Sequence, residues 1–118
     1  MLDVRTNKRK NIRASITEIL NDDQGPIHVN TVNFKTRILS VDTLSDISGS
    51  GLQITSEIPK EKGDELSFDF HINKDEFSLV GIVRNVLSNN RYGVEFINPP
   101  KDQVLIIEQT IGSVKVGR

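Results

Sequence analysis

The 118-residue chain has no cysteine, no tryptophan, one tyrosine and one methionine. Without cysteine there is no disulfide, no thiolate nucleophile and no zinc site of cysteine type. Aromatic residues make up only 5%, so a core must be mostly aliphatic with a few Phe. No window approaches the roughly 18 consecutive apolar residues of a membrane span. The start, "MLDVRTNKRKNIR", is basic but lacks the apolar stretch and small-residue cleavage site of a secretory signal. With 36% apolar and 26% charged residues, the composition suits one globular domain, and these absences together lead us to expect a cytoplasmic protein.

The net charge of −1 hides an asymmetry. Arg5, Lys8, Arg9, Lys10 and Arg13 stand against Asp3 alone in the first thirteen residues, which leaves an acidic remainder. A basic arm on an acidic body points to an anionic partner for the arm, the plain alternative being a solvated tail.

Residues 1–12 show no periodicity and are expected to be a flexible arm. Beyond them hydrophobic period two dominates the chain. "ASITEIL" (14–20) is β-branched and read as strand; "NDDQGP" (21–26) is loop chemistry. "IHVNTVNF" and "KTRILSVDTLSDIS" resume alternation, and "LQITSEIP" reads as a strand stopped by Pro59. In "ELSFDFHI" Leu66, Phe68, Phe70 and Ile72 alternate with polar residues, the pattern of a strand with one buried face. "NKDE" makes a turn. "FSLVGIVRNVL" is apolar at both parities, which predicts a strand covered on both sides, and "YGVEFI" comes after another turn, "SNNR". The period then changes: Pro100 stands where an N1 proline would sit, Val104, Ile107 and Ile111 have helical spacing, and Gly112 suits a helix stop. Six or seven short strands and one helix predict a small antiparallel barrel or sandwich, the helix capping an open end.

The chemistry is concentrated in two places. "DISGSG" (46–51) is not a dinucleotide turn, because position 54 is Ile and strand continues. Nor do Ser48 and Ser50 have the flanking glycines of a nucleophile elbow. His28 and His71 sit on strand-like segments without an orienting acid, and two lone histidines make no metal site. No enzymatic activity is therefore expected. Period two, with Ile47 in the core, sends Asp46 and Ser48 outward together, while Gly49 and Gly51 let a flat ligand or another backbone approach. The alternative is a tight bend in which Asp46 bonds turn amides. Upstream, Arg9 and Arg13 are four apart, a spacing suited to phosphates and to bidentate contact with guanine.

Arg9-x-x-x-Arg13 followed by Asp46-x-Ser48-x-x-Gly51 resembles the paired signature of the PilZ domain family. "GLQI", "FSLVGIVRNV", "RYGVEF" and the closing helix resemble its later elements in order, over roughly residues 8–112. The resemblance implies a six-stranded antiparallel β-barrel of split-barrel type with a short C-terminal helix, and a receptor for the second messenger cyclic di-GMP. It assigns ligand contact to Arg9, Arg13, Asp46, Ser48 and Gly51, with Arg5, Lys8 and Lys10 as possible additions and Arg5/Arg9 as the alternative register. The domain would comprise the arm (1–12), the barrel with its helix (13–112) and a tail (113–118). No metal or cofactor is implied. A downstream protein would receive the signal, since such a domain has no output of its own. Two other readings stay open: a protein-interaction module that binds no nucleotide, and a small nucleic-acid-binding barrel. The last is disfavoured by an acidic body with only Phe34 and Tyr92 as candidate stacking platforms. Thirty-two residues separate Arg13 from Asp46, longer than expected, and "NDDQGPIHVN" (21–30) holds the excess as an inserted loop or strand.

Overall fold

The computed structural model describes residues 14–15 and 26–116. Seven strands appear among them: β1 (Ala14–Ser15), β2 (His28–Asn33), β3 (Leu39–Ile47), β4 (Gly51–Thr55), β5 (Glu65–Ile72), β6 (Asp75–Val86) and β7 (Arg91–Phe96). One helix, α1 (Lys101–Val116), comes last. β2 to β7 form a closed six-stranded antiparallel barrel in the order β3-β2-β5-β6-β7-β4, and β3 pairing with β4 shuts it. The two-residue β1 runs along β3 beyond the end of β2.

Alternation builds the barrel. Along β5, Leu66, Phe68, Phe70 and Ile72 are buried, and along β7 Tyr92, Val94 and Phe96 are buried too. Phe70 and Phe77 stack with ring centroids 5.2 Å apart. β6 differs from the expectation of cover on both sides. Phe77, Leu79 and Val83 face the core, whereas Val80 and Ile82 are half-buried on the outer face.

Ile27 and Val29 belong to the core, so the segment read as an insertion ends at about residue 26 and its second half is a barrel strand. The hairpin from β2 to β3 turns on Asn33, whose side-chain oxygen accepts from Lys35 N–H at 3.0 Å and Thr36 N–H at 3.3 Å. Two asparagines, Asn89 and Asn90, supply the left-handed residues between β6 and β7, at φ 62° and 60°.

Pro100 precedes α1 and its carbonyl accepts the first helical bond, from Val104 N–H at 3.0 Å. Ile107 and Ile111 enter the barrel core, as their spacing predicts. The helix does not stop at Gly112, however, and runs to Val116. That glycine has open space where a Cβ would be, and no left-handed φ, so nothing at this position interrupts the helix.

The buried charged side chains gather at the end of the barrel remote from the β3–β4 turn. There Asn33 donates to Asp64 at 3.0 Å, and Lys60 Nζ lies 3.5 Å from Asp42, the side chains of that ion pair almost wholly buried.

Candidate functional site

The segment 46–51 closes the β3–β4 hairpin. Ile47 pairs with Leu52, and Ser48 N–H donates to the Gly51 carbonyl at 2.8 Å, so Gly49 and Ser50 form the tip. Ile47 is fully buried as expected. Asp46 is half-buried on the outer face.

Ser48 departs from the reading that sent it outward beside Asp46, because it is completely buried. Its hydroxyl donates to the Gly51 carbonyl at 3.3 Å and accepts from Ser50 N–H at 3.3 Å, so it ties the turn together from inside. The parity argument fails at two points: β3 ends at Ile47, so Ser48 in the turn no longer follows the strand's alternation, and further back β3 is bulged. The register steps from Leu44↔Ile54 to Asp46↔Gln53, which leaves Ser45 as an extra residue. Before the bulge Leu39 and Val41 face solvent while Asp42 and Leu44 face in. The bulge restores Ile47 to the core, and the hairpin closure then draws Ser48 under the turn.

Gly51 serves another backbone. A Cβ there would stand 2.1 Å from the carbonyl oxygen of Val94, so β4 and β7 approach this closely only with glycine. Gly49 is cleared for a side chain instead, since its Cβ would meet Glu108 Oε2 on α1 at 2.9 Å.

Pairing extends the site across the outer wall in a row, Asp46 to Gln53, Gln53 to Gly93 and Gly93 to Asn85. Alongside it Gly51 pairs with Glu95, which accepts from Arg84 Nε at 2.7 Å. Gly93 is buried, and the Asn85 side chain packs where a Gly93 side chain would stand, its Nδ2 3.4 Å from that Cβ position, so Asn85 rather than bare backbone covers this part of the wall. Gln53, Arg84, Asn85 and Glu95 carry no motif of their own, and only the strand register gathers them beside Asp46.

Arg5, Lys8, Arg9, Lys10 and Arg13 lie outside the described residues. The two residues after Arg13 are described: Ala14 pairs with Ile47 and Ser15 with Asp46. The sequence interval of thirty-two residues is thus closed at its ends by a strand ladder.

Elsewhere the candidate chemistry is structural. His71, read as lacking an orienting acid, has one in its cross-strand partner Glu76, whose Oε1 lies 2.8 Å from Nε2 on an exposed face, and His28 is exposed on β2. Tyr92, read as a surface position, is buried with its hydroxyl accepting Lys60 N–H at 3.3 Å. Phe34 is 48% exposed.

A family model described as the PilZ domain matches residues 3–113. This chain belongs to the PilZ domain family. Among solved structures, this PilZ domain is similar to the PilZ domain with c-di-GMP of YcgR from Escherichia coli, at 14% identity and TM-score 0.64, covering 90% of each chain. It is similar to the Bacillus subtilis inhibitor of motility MotI/DgrA at 11% identity and TM-score 0.65, covering 91% of this chain and 51% of that one. It is also similar to the Borreliella burgdorferi PlzA protein in complex with c-di-GMP, at 16% identity and TM-score 0.59, covering 92% of this chain and 44% of that one. At such identities the likeness establishes the fold. No curated protein sequence matches this PilZ domain. Among its described residues no helix is long and apolar enough to cross a membrane.

Proposed function

We propose that this PilZ domain is a cytoplasmic receptor for cyclic di-GMP that relays the signal to a protein partner. In this reading Arg9 and Arg13 hold phosphate and grip guanine, with Arg5, Lys8 and Lys10 adding charge. Asp46 accepts from the guanine N–H groups on the outer wall. Ser48 contributes by fixing the turn, and Gly51 by letting β4 and β7 meet beneath the ligand.

One observation carries the reading: β1 pairs with β3 at Ser15↔Asp46, immediately after Arg13. The strand ladder thereby ties the chain just past the arginine motif to the aspartate of the other motif. The two solved relatives whose structures contain c-di-GMP support the choice of ligand. Nucleotide binding would order the basic segment against the barrel, phosphate offsetting its self-repulsion, and so alter the surface a partner meets. Exposed Phe34, Ile38, Leu39 and Val41 around the β2–β3 hairpin supply apolar surface of the kind protein partners use.

Isothermal titration tests the receptor reading. Cyclic di-GMP should bind, and Arg9→Ala, Arg13→Ala and Asp46→Ala should each weaken binding by more than about tenfold, as expected for lost charge-assisted bonds. No heat of binding at ligand concentrations of order tens of micromolar, the scale of about −6 to −7 kcal/mol, would sink it.

A further inference from the structure

A groove of about 600 Å³ runs between the β3–β4 turn and α1. That falls within the roughly 300–1,000 Å³ of small-molecule sites. Gly49 and Ser50 of the motif form one lip, and Phe96, Pro99 and Leu105 are among its apolar lining residues. Two carboxylates, Glu95 and Glu108, reach it. They are not equivalent. Glu95 is held by Arg84, whereas Glu108 is half-buried and has no ion pair or hydrogen bond with any described residue. Its Oε2 lies against the turn at the place the missing Gly49 side chain would fill, 2.9 Å from that Cβ.

The carboxylate opens into the groove, so a ligand group that bears N–H donors can pair with it there in place of water. The group must also be flat and largely apolar in its faces to suit walls of Phe96, Pro99 and Leu105. Guanine meets both conditions. Its N1–H and N2–H₂ stand side by side as two donors and match the two oxygens of one carboxylate. Adenine presents an acceptor at N1 beside its N6 donor and matches only one.

We propose that Glu108 reads a guanine base in this groove. The inference rests on the cyclic di-GMP reading and deepens it. The ligand has two guanines, and one would lie on the outer wall at Asp46 while the other enters the groove at Glu108, with the Gly49–Ser50 tip between them. Selectivity for guanine over adenine then resides in α1 as well as in the motif strand, because a site built around a hydrogen-bond pattern rejects the base that cannot complete it.

The experiment is calorimetric titration of the full chain and its Glu108→Gln and Glu108→Ala variants with cyclic di-GMP, cyclic di-AMP and cyclic di-IMP. Thermal unfolding checks that each variant is folded. Glu108→Gln should bind cyclic di-GMP at least tenfold more weakly, since the amide turns a donor toward a donor, and its preference for guanine over adenine should shrink. Loss of the N2 amine in cyclic di-IMP should weaken the unmodified chain more than Glu108→Gln. An unmodified chain that binds cyclic di-GMP tightly together with a Glu108→Gln variant of equal affinity overturns the groove assignment alone. Tighter binding by Glu108→Gln also overturns it, because the carboxylate would then be competing for the chain's own arginines. No binding by the unmodified chain overturns both readings.

Discussion

Gly51 and Ser48 show how a binding motif can be occupied by its own scaffolding. A methyl group at position 51 would collide with the Val94 carbonyl at 2.1 Å, and backbone cannot swing away. Gly51→Ala should cost about 1–3 kcal/mol, as overpacking does, read from the urea midpoint. At Gly49 the neighbour is the end of a glutamate side chain, which can rotate. Gly49→Ala should therefore cost less than about 1 kcal/mol in the same measurement, and equal effects at the two glycines would contradict the distinction. For Ser48, removing a hydroxyl that both donates to Gly51 and serves Ser50 N–H should cost about 1–3 kcal/mol and loosen the turn, so affinity and stability should fall together. A loss of affinity with the unfolding curve unmoved would instead make Ser48 a direct contact.

The elements that matter are β3 and α1. β3 is legible as a strand from its β-branched alternation, but which face each residue takes is not. The extra residue, Ser45, is held by a 3.0 Å hydroxyl contact with Thr55 on β4 and changes the phase between Leu44 and Asp46. A bulge depends on what the partner strand does, so counting along one strand cannot find it. For α1, the spacing of Ile107 and Ile111 is enough to predict both the helix and its buried face. Ile107→Ala should destabilise the domain by about 2–5 kcal/mol in thermal or urea unfolding, the cost of a cavity where a side chain only 1% exposed had been. A cost under about 1 kcal/mol would mean that the helix is not packed as described.

At the scale of the whole molecule, the barrel joins an apolar core to a polar end. Lys60 and Asp42 face each other there with Ser40 as a shared neighbour: Ser40 Oγ lies 3.2 Å from the carboxylate and 3.3 Å from the ammonium. One carboxylate oxygen of Asp42, Oδ1, has no hydrogen-bond partner among the described residues. Lys60→Met should strand a buried charge and cost about 3–5 kcal/mol, a large part of a typical domain's stability. The double variant Lys60→Met/Asp42→Leu should recover much of it, measured as the thermal midpoint, and failure to recover would show that packing rather than charge governs this end. Neither residue announces the pair in the sequence. Alternation counted back from Ile47 sends Asp42 outward, and only the bulge at Ser45 turns it in, while Lys60 sits in a turn-like polar run.

The family, the strand-rich order of elements and the terminal helix are written into the chain, together with the two motifs that suggest a ligand. They rest on local properties: β-branched alternation, turn residues such as Asn89 and Asn90, and the helical spacing after Pro100. Folding in three dimensions adds that Ser48 is inside, that Gly51 makes room for Val94, that Ser15 meets Asp46, and that Glu108 stands beside Gly49 without a partner among the described residues. Each is a relation between residues distant in the chain or displaced by a bulge. The physical reason is that closing the barrel brings β3, β4, β7 and α1 together at the turn, and no periodicity within a single segment encodes which of their side chains then meet.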